Sequence, residues 1–165
     1  MPVQPNTPGV EAAIQAKCQG LQVAGATFFL PANVVIGKLK DVTDNVPCCE
    51  ITLTDDESFR LTLGNGIAQG GKIADSELFL IELTLSLDDP VAVETQLAQI
   101  RDALSQAFHT SASLALPGVQ YSGWQSDHGG VLKGQAGYAD RNGQRWRVYR
   151  RKLYVRYDYS TIIVP

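Results

Sequence analysis

The chain has little of what most reactive sites are built from. Its 165 residues include two histidines, three cysteines and one methionine. His109 and His128 fit neither an HxH nor an HxxxH spacing, so no metal site is expected. Neighbouring residues seldom aim at one proton, so Asp127 beside His128 is not read as an acid/base pair. The cysteines are Cys18, Cys48 and Cys49, an odd number with no CxxC spacing. They read as reduced, small apolar residues, which suits a cytoplasmic compartment. No apolar run approaches the roughly 20 residues needed to span a bilayer. The opening MPVQPNTPGV lacks a basic stretch followed by an apolar one, so no signal peptide is expected. In LGNGIAQGG, Leu63 to Gly71, Gln69 takes the place of the third glycine of a GxGxxG loop. No Lys-Ser or Lys-Thr pair follows it, so Walker A fails too. GxSxG is absent, and TDDE, Thr54 to Glu57, lacks EF-hand spacing. No catalytic, cofactor-binding or metal residue is assigned, no cofactor is implied, and no enzymatic activity is expected.

What is present is an ordinary globular composition, 44% hydrophobic and 19% charged. Length and composition suggest an extended N-terminal arm, residues 1–8, and one domain over 9–165. The net charge of −3 is unevenly spread. Residues 1–102 carry 14 acids and 6 bases, a balance of −8; residues 103–165 carry 3 acids and 8 bases, a balance of +5. An acidic and a basic surface on one molecule would serve a nucleic acid, an acidic partner or a second copy.

Periodicity sets the elements. Thr7 followed by Pro8 reads as a helix start. Val10, Ala13, Ile14, Cys18 and Leu21 then fall at helical spacing, with Gly20 near the stop. Asn33–Leu39, Cys49–Thr54 and Ser58–Leu63 read as strands, with TDDES as a hairpin turn between the last two. Leu63–Gly71 reads as a flexible glycine-rich loop. Leu78–Leu87, LFLIELTLSL, alternates strictly and predicts a strand with one covered face. Asp88-Asp89-Pro90 predicts a helix start, and Val93, Leu97, Ile100, Leu104, Ala107 and Phe108 carry that helix to His109. His109 there suits the helix dipole. Leu114–Gly118 reads as a turn, Val119–Trp124 as a short strand, and Ser126–Gly143 as a loop or long hairpin tip. The order predicts an α+β fold: a mixed, mostly antiparallel sheet with two helices packed on one face.

The closing strand, Gln144–Tyr159, holds the main functional candidate. Six of the sixteen residues in RWRVYRRKLYVRYDYS are basic: Arg145, Arg147, Arg150, Arg151, Lys152 and Arg156. Trp146 and Val148 share one parity, whereas Leu153, Val155, Tyr157 and Tyr159 share the other, so a bulge near Arg150–Lys152 is expected. Bases interleaved with aromatics suit a protein interface, a charge-guarded edge or a nucleic-acid contact. A sequence pI of about 5.3 argues against the last.

Three segments taken together resemble the tail terminator (tail completion) proteins of long-tailed bacteriophages: LFLIELTLSLDDPVAVETQLAQIRDALSQAF, GVQYSGW and WRVYRRKLYVRYDYS. The helix VEAAIQAKCQGL before the first strands also suits that family. The resemblance implies a structural virion protein, assembled in the host cytoplasm and placed at the head-proximal end of the tail. It implies a ring of six copies that ends tube polymerisation and joins the head-side connector. Partners implied are the tail tube protein, the connector and, in contractile tails, the sheath. DNA would pass through without specific binding, and no membrane is involved. Other readings are another head–tail connector or neck protein, and a small nucleic-acid-binding protein using the basic strand. In the ring reading the six bases form a subunit or partner interface with acids of the N-terminal part or the tube. Reversing Arg150 and Arg151 to Glu is expected to block the ring and leave the fold intact.

Overall fold

The computed structural model describes residues 6–60, 72–109, 114–116, 119–124 and 134–160. Helix α1 spans Thr7–Gln19, and its cap lies one residue earlier than expected. Asn6 Oδ1 accepts from the Gly9 amide at 3.2 Å, satisfying one of the first-turn donors. Thr7 instead donates its hydroxyl to Glu77, which also accepts from the buried Tyr157 hydroxyl at 3.0 Å. Burial and the Glu77 charge push the Tyr157 phenol well up. Thr7 and Pro8, expected in the extended arm, are the first residues of α1, and residues 1–5 of that arm lie outside the described residues.

A small hairpin follows, β1 (Gln22–Val23) and β2 (Ala26–Thr27), turned by Ala24 and Gly25 at positive φ. The main sheet comprises β3 (Val34–Ile36), β4 (Cys48–Arg60), β5 (Lys72–Leu85), β6 (Val119–Trp124), β7 (Gly134–Arg141) and β8 (Gln144–Ser160). Its order is β3-β4-β5-β8-β6, with β7 also paired to β8. β3 is parallel to β4 and every other pairing is antiparallel. Helix α2 (Pro90–His109) follows β5 and precedes β6, two strands that run the same way on either side of β8.

The fold is the α+β class the periodicity predicts, with both helices on one sheet face. Val10, Ile14 and Cys18 of α1 and Val93, Leu97, Ile100, Leu104 and Phe108 of α2 join one core with Phe79, Ile81, Leu83 and Leu85 of β5. Each such large side chain contributes about 1.5–3 kcal/mol on burial, against about 0.2–1 kcal/mol for an exposed ion pair such as Arg101–Asp102. The core therefore holds the fold. Asp89 caps α2, its carboxylate accepting from the Val91 and Ala92 amides at 3.0 Å.

The turn and strand expectations are corrected at several points. TDDES is not a turn: β4 runs straight through it, and the irregularity is a bulge at Thr54. The partner of β4 is β5, and the glycine-rich Leu63–Gly71 stretch lies outside the described residues. Of the two readings of Ser126–Gly143, loop or long hairpin tip, the second holds for its described part: Gly134–Arg141 is strand β7, joined to β8 by Asn142 and Gly143 at φ 55° and 75°. The strand expected over Asn33–Leu39 covers Val34–Ile36.

Candidate functional site

The expected bulge in β8 is absent. From Arg147 to Ser160 the strand pairs with β5 without a register shift, Leu85↔Arg147 through Lys72↔Ser160. The change of parity arises because both sheet faces are covered at one end. Tyr149, Leu153, Val155 and Tyr157 face the helices and join the main core. Trp146 and Val148 face the other way, into a second cluster with Val42 and Cys48 that Leu39, Val46 and Ala139 flank. Cys48 and Cys49 consequently point into different cores, as neighbours in a strand must. Burial, then the Glu50 charge, pushes the Cys48 thiol up to about 11, and all three cysteines are buried thiols.

The segment 37–47 that covers this second face is tied down by charge. Glu50 and Glu82 are cross-strand partners on β4 and β5, and both are buried. Two carboxylates side by side in a low dielectric repel unless cations intervene. Lys38 lies between them, 3.3 Å from Glu50 and 2.8 Å from Glu82. Arg141 grips Glu50 with two nitrogens at 2.6 and 3.0 Å and donates to the Leu39 carbonyl at 3.1 Å. Arg150 pairs with Glu82. The Leu39 amide donates to Glu50 at 2.6 Å, and Asn142 donates to Asp41 at 2.7 Å. Burial raises the Glu82 pKa, but hydrogen bonds and charge from Lys38 and Arg150 more than offset it, leaving the group below its ordinary value.

The helix-side face of β8 carries a groove of about 440 Å³ between α2 and the β7–β8 hairpin. Arg147 makes a two-pronged pair with Glu94 of α2, at 2.7 and 3.1 Å, and donates to the Gly137 carbonyl at 2.9 Å. Arg151 donates to Ser105 Oγ, and its guanidinium lies 4.3 Å from the Trp124 ring centroid. A Cβ at Gly134 would sit 2.0 Å from Tyr149 Oη, so glycine there makes room for the Tyr149 ring. Stacking a desolvated cation on an aromatic ring contributes about 2 kcal/mol. Burying an ion costs several kcal/mol. The Arg151 charge is thus only partly compensated.

The six basic residues are therefore divided. Arg147, Arg150 and Arg151 are engaged inside the molecule. Arg145 stacks on Tyr138 at 4.8 Å, and both are exposed. Lys152 is exposed and Arg156 is partly buried. Charge reversal at Arg150 would place a carboxylate beside Glu82, and at Arg151 would bury one against Trp124. Both changes are therefore expected to lower stability as well as alter the surface, so loss of a ring in that double variant would not by itself report on an interface.

The residues sequence reasoning missed are Glu50, Glu82, Lys38 and Arg141 on one face and Glu94, Arg101 and Ser105 on the other. A lone Glu within each of CEITL and LIELTL was the available signal for the buried pair. His109 ends α2 and is exposed, and His128 lies outside the described residues. Among the described residues no group of three metal-ligating side chains converges. No protein-family model matches the chain, and a search of curated proteins finds no match.

Proposed function

We propose that this chain is a tail terminator of a long-tailed bacteriophage, a structural protein acting as a ring of six on the end of the tail tube. It ends tube polymerisation there and presents the joint to the head-side connector. The observation that carries the reading is the separation of exposed charge and open edge on one sheet. Pairing between β3 and β4 stops at Ile36↔Ile51, so the outer edge of β4 beyond that point has no partner among the described strands. Asp55 and Asp56 are exposed along it, with Leu53 and Ile36 exposed nearby. Arg145 and Lys152 are exposed on β8, which β5 separates from β4. An acidic edge on β4 and exposed bases on the separate strand β8 suit a contact between unlike surfaces of successive copies, which closes into a ring when the rotation allows. An exposed ion pair contributes only about 0.2–1 kcal/mol, so charge sets the register while Leu53 and Ile36 supply apolar area.

The nucleic-acid reading has less to draw on, because three of the six bases are held by partners within the chain. The test is solution mass by light scattering after size exclusion, across a wide concentration range. The wild type is expected to form a closed oligomer of six. D55K/D56K and R145E/K152E should each reduce its mass, and the four changes together should restore part of it. Wild-type mass in both reversals would remove the proposed contact.

A further inference from the structure

We propose that the groove between α2 and the β7–β8 hairpin is a binding site for a small oxyanion, a carboxylate or phosphate group on a compact apolar body. Glu94, Leu97, Arg101 and Ser105 recur three or four residues apart on α2, so one stripe of the helix lines the groove. Facing it from β8 are Arg147 and Arg151. Three guanidiniums meet one carboxylate. Arg147 and Glu94 neutralise each other in their two-pronged pair, which leaves Arg101 and Arg151.

Arg151 is 8% exposed, its Nε has no hydrogen-bond partner, and no carboxylate pairs with it among the described residues. Burial pulls its guanidinium below the ordinary value, Tyr149 offsets part of that, and the Arg101 charge adds to the depression. Arg101 has only its sequence neighbour Asp102, at 3.2 Å and well exposed, as a carboxylate partner among the described residues. Two cations converging on one space, one of them buried, are the arrangement an anion relieves. A guanidinium offers parallel N–H donors that match carboxylate and phosphate oxygens. The Ser105 hydroxyl, already accepting from Arg151, lines the same groove. Leu97, Ala98 and Ala136 give the groove an apolar wall, and its volume lies within the range of small-molecule sites. The site stands independently of ring formation.

The test is titration of the full chain at constant ionic strength with inorganic phosphate and, separately, with glutarate. Melting temperature and tryptophan fluorescence are followed, since Trp124 lies under Arg151. A saturable response to phosphate alone identifies a phosphate site; to glutarate alone, a carboxylate site; to both, a general oxyanion site. Arg101→Gln changes a half-exposed residue and should weaken binding about tenfold or more. Lys40→Gln removes an equal charge from an exposed position outside the groove and should leave binding unchanged. Absence of a saturable response to either anion, or equal weakening by both variants, would overturn the proposal.

Discussion

At the scale of single residues, Glu82 ties stability to pH. Its folded pKa lies below the ordinary glutamate value of 4.5. A depressed carboxylate gives stability that is complete above the unfolded value and is lost as pH falls through the folded one. The urea midpoint should therefore drop as pH is lowered from about 6 to about 3. Glu82→Gln should start from a lower midpoint at neutral pH, because Lys38 and Arg150 lose their charged partner, and should then fall less steeply. An identical slope in both proteins would show that the Glu82 pairing carries no such linkage. The sequence displayed Glu82 plainly, as one polar residue in an alternating strand. What it did not display was the cover over that residue. The segment 37–47 has no strong helix or strand period, and its position depends on contacts with Arg141 and Asn142 about a hundred residues away.

At the scale of elements, long apolar periods confined to one segment read correctly, whereas short turn signals and patterns that depend on a second segment did not. Helix α2 was readable to the residue, since its apolar stripe and its Asp-Pro start are local. Asp89→Ala should cost about 1 kcal/mol through loss of two amide acceptances, measured as a lower denaturant midpoint with an unchanged slope. A wild-type midpoint would mean that another group takes over the cap. Strand β8 misled because alternation was judged against a single core. Its Trp146 and Val148 obey a second core on the opposite face, so the apparent slip in phase is two regular patterns laid end to end. TDDES misled because Asp and Ser favour turns locally, while pairing along the whole of β5 holds the segment extended. The Asn142-Gly143 pair is a strong short-range hairpin signal, and it fits the β7–β8 hairpin, the second of the two readings open for Ser126–Gly143.

At the scale of the whole molecule, the uneven charge of the two parts of the chain is partly resolved internally. Arg141 and Arg150 from the basic part meet Glu50 and Glu82 from the acidic part, and Arg147 meets Glu94. A balance of −8 against +5 thus describes first how the chain closes on itself. Asp55, Asp56, Arg145 and Lys152 are among the charges left exposed, and in the ring reading they are the ones a neighbouring copy would meet. Composition alone could not separate these two uses, because both draw on the same residue types and differ only in burial.

The cover over one end of the second sheet face also makes the molecule mechanically unequal. Where segment 37–47 lies, β4, β5 and β8 are packed from both sides; beyond the Thr54 bulge, the edge of β4 has neither a strand beside it nor that cover above it. Opening should therefore begin at Asp55 and Asp56 and spread toward Cys48. In hydrogen exchange, amides of Glu50, Leu83 and Val148 should exchange last, near the global unfolding limit, and those of Asp55 and Asp56 much earlier. Uniform protection along β4 would mean that the strand opens as one piece. A strand that is stiff at one end and loose at the other can stay anchored while its free end takes the shape of whatever docks against it.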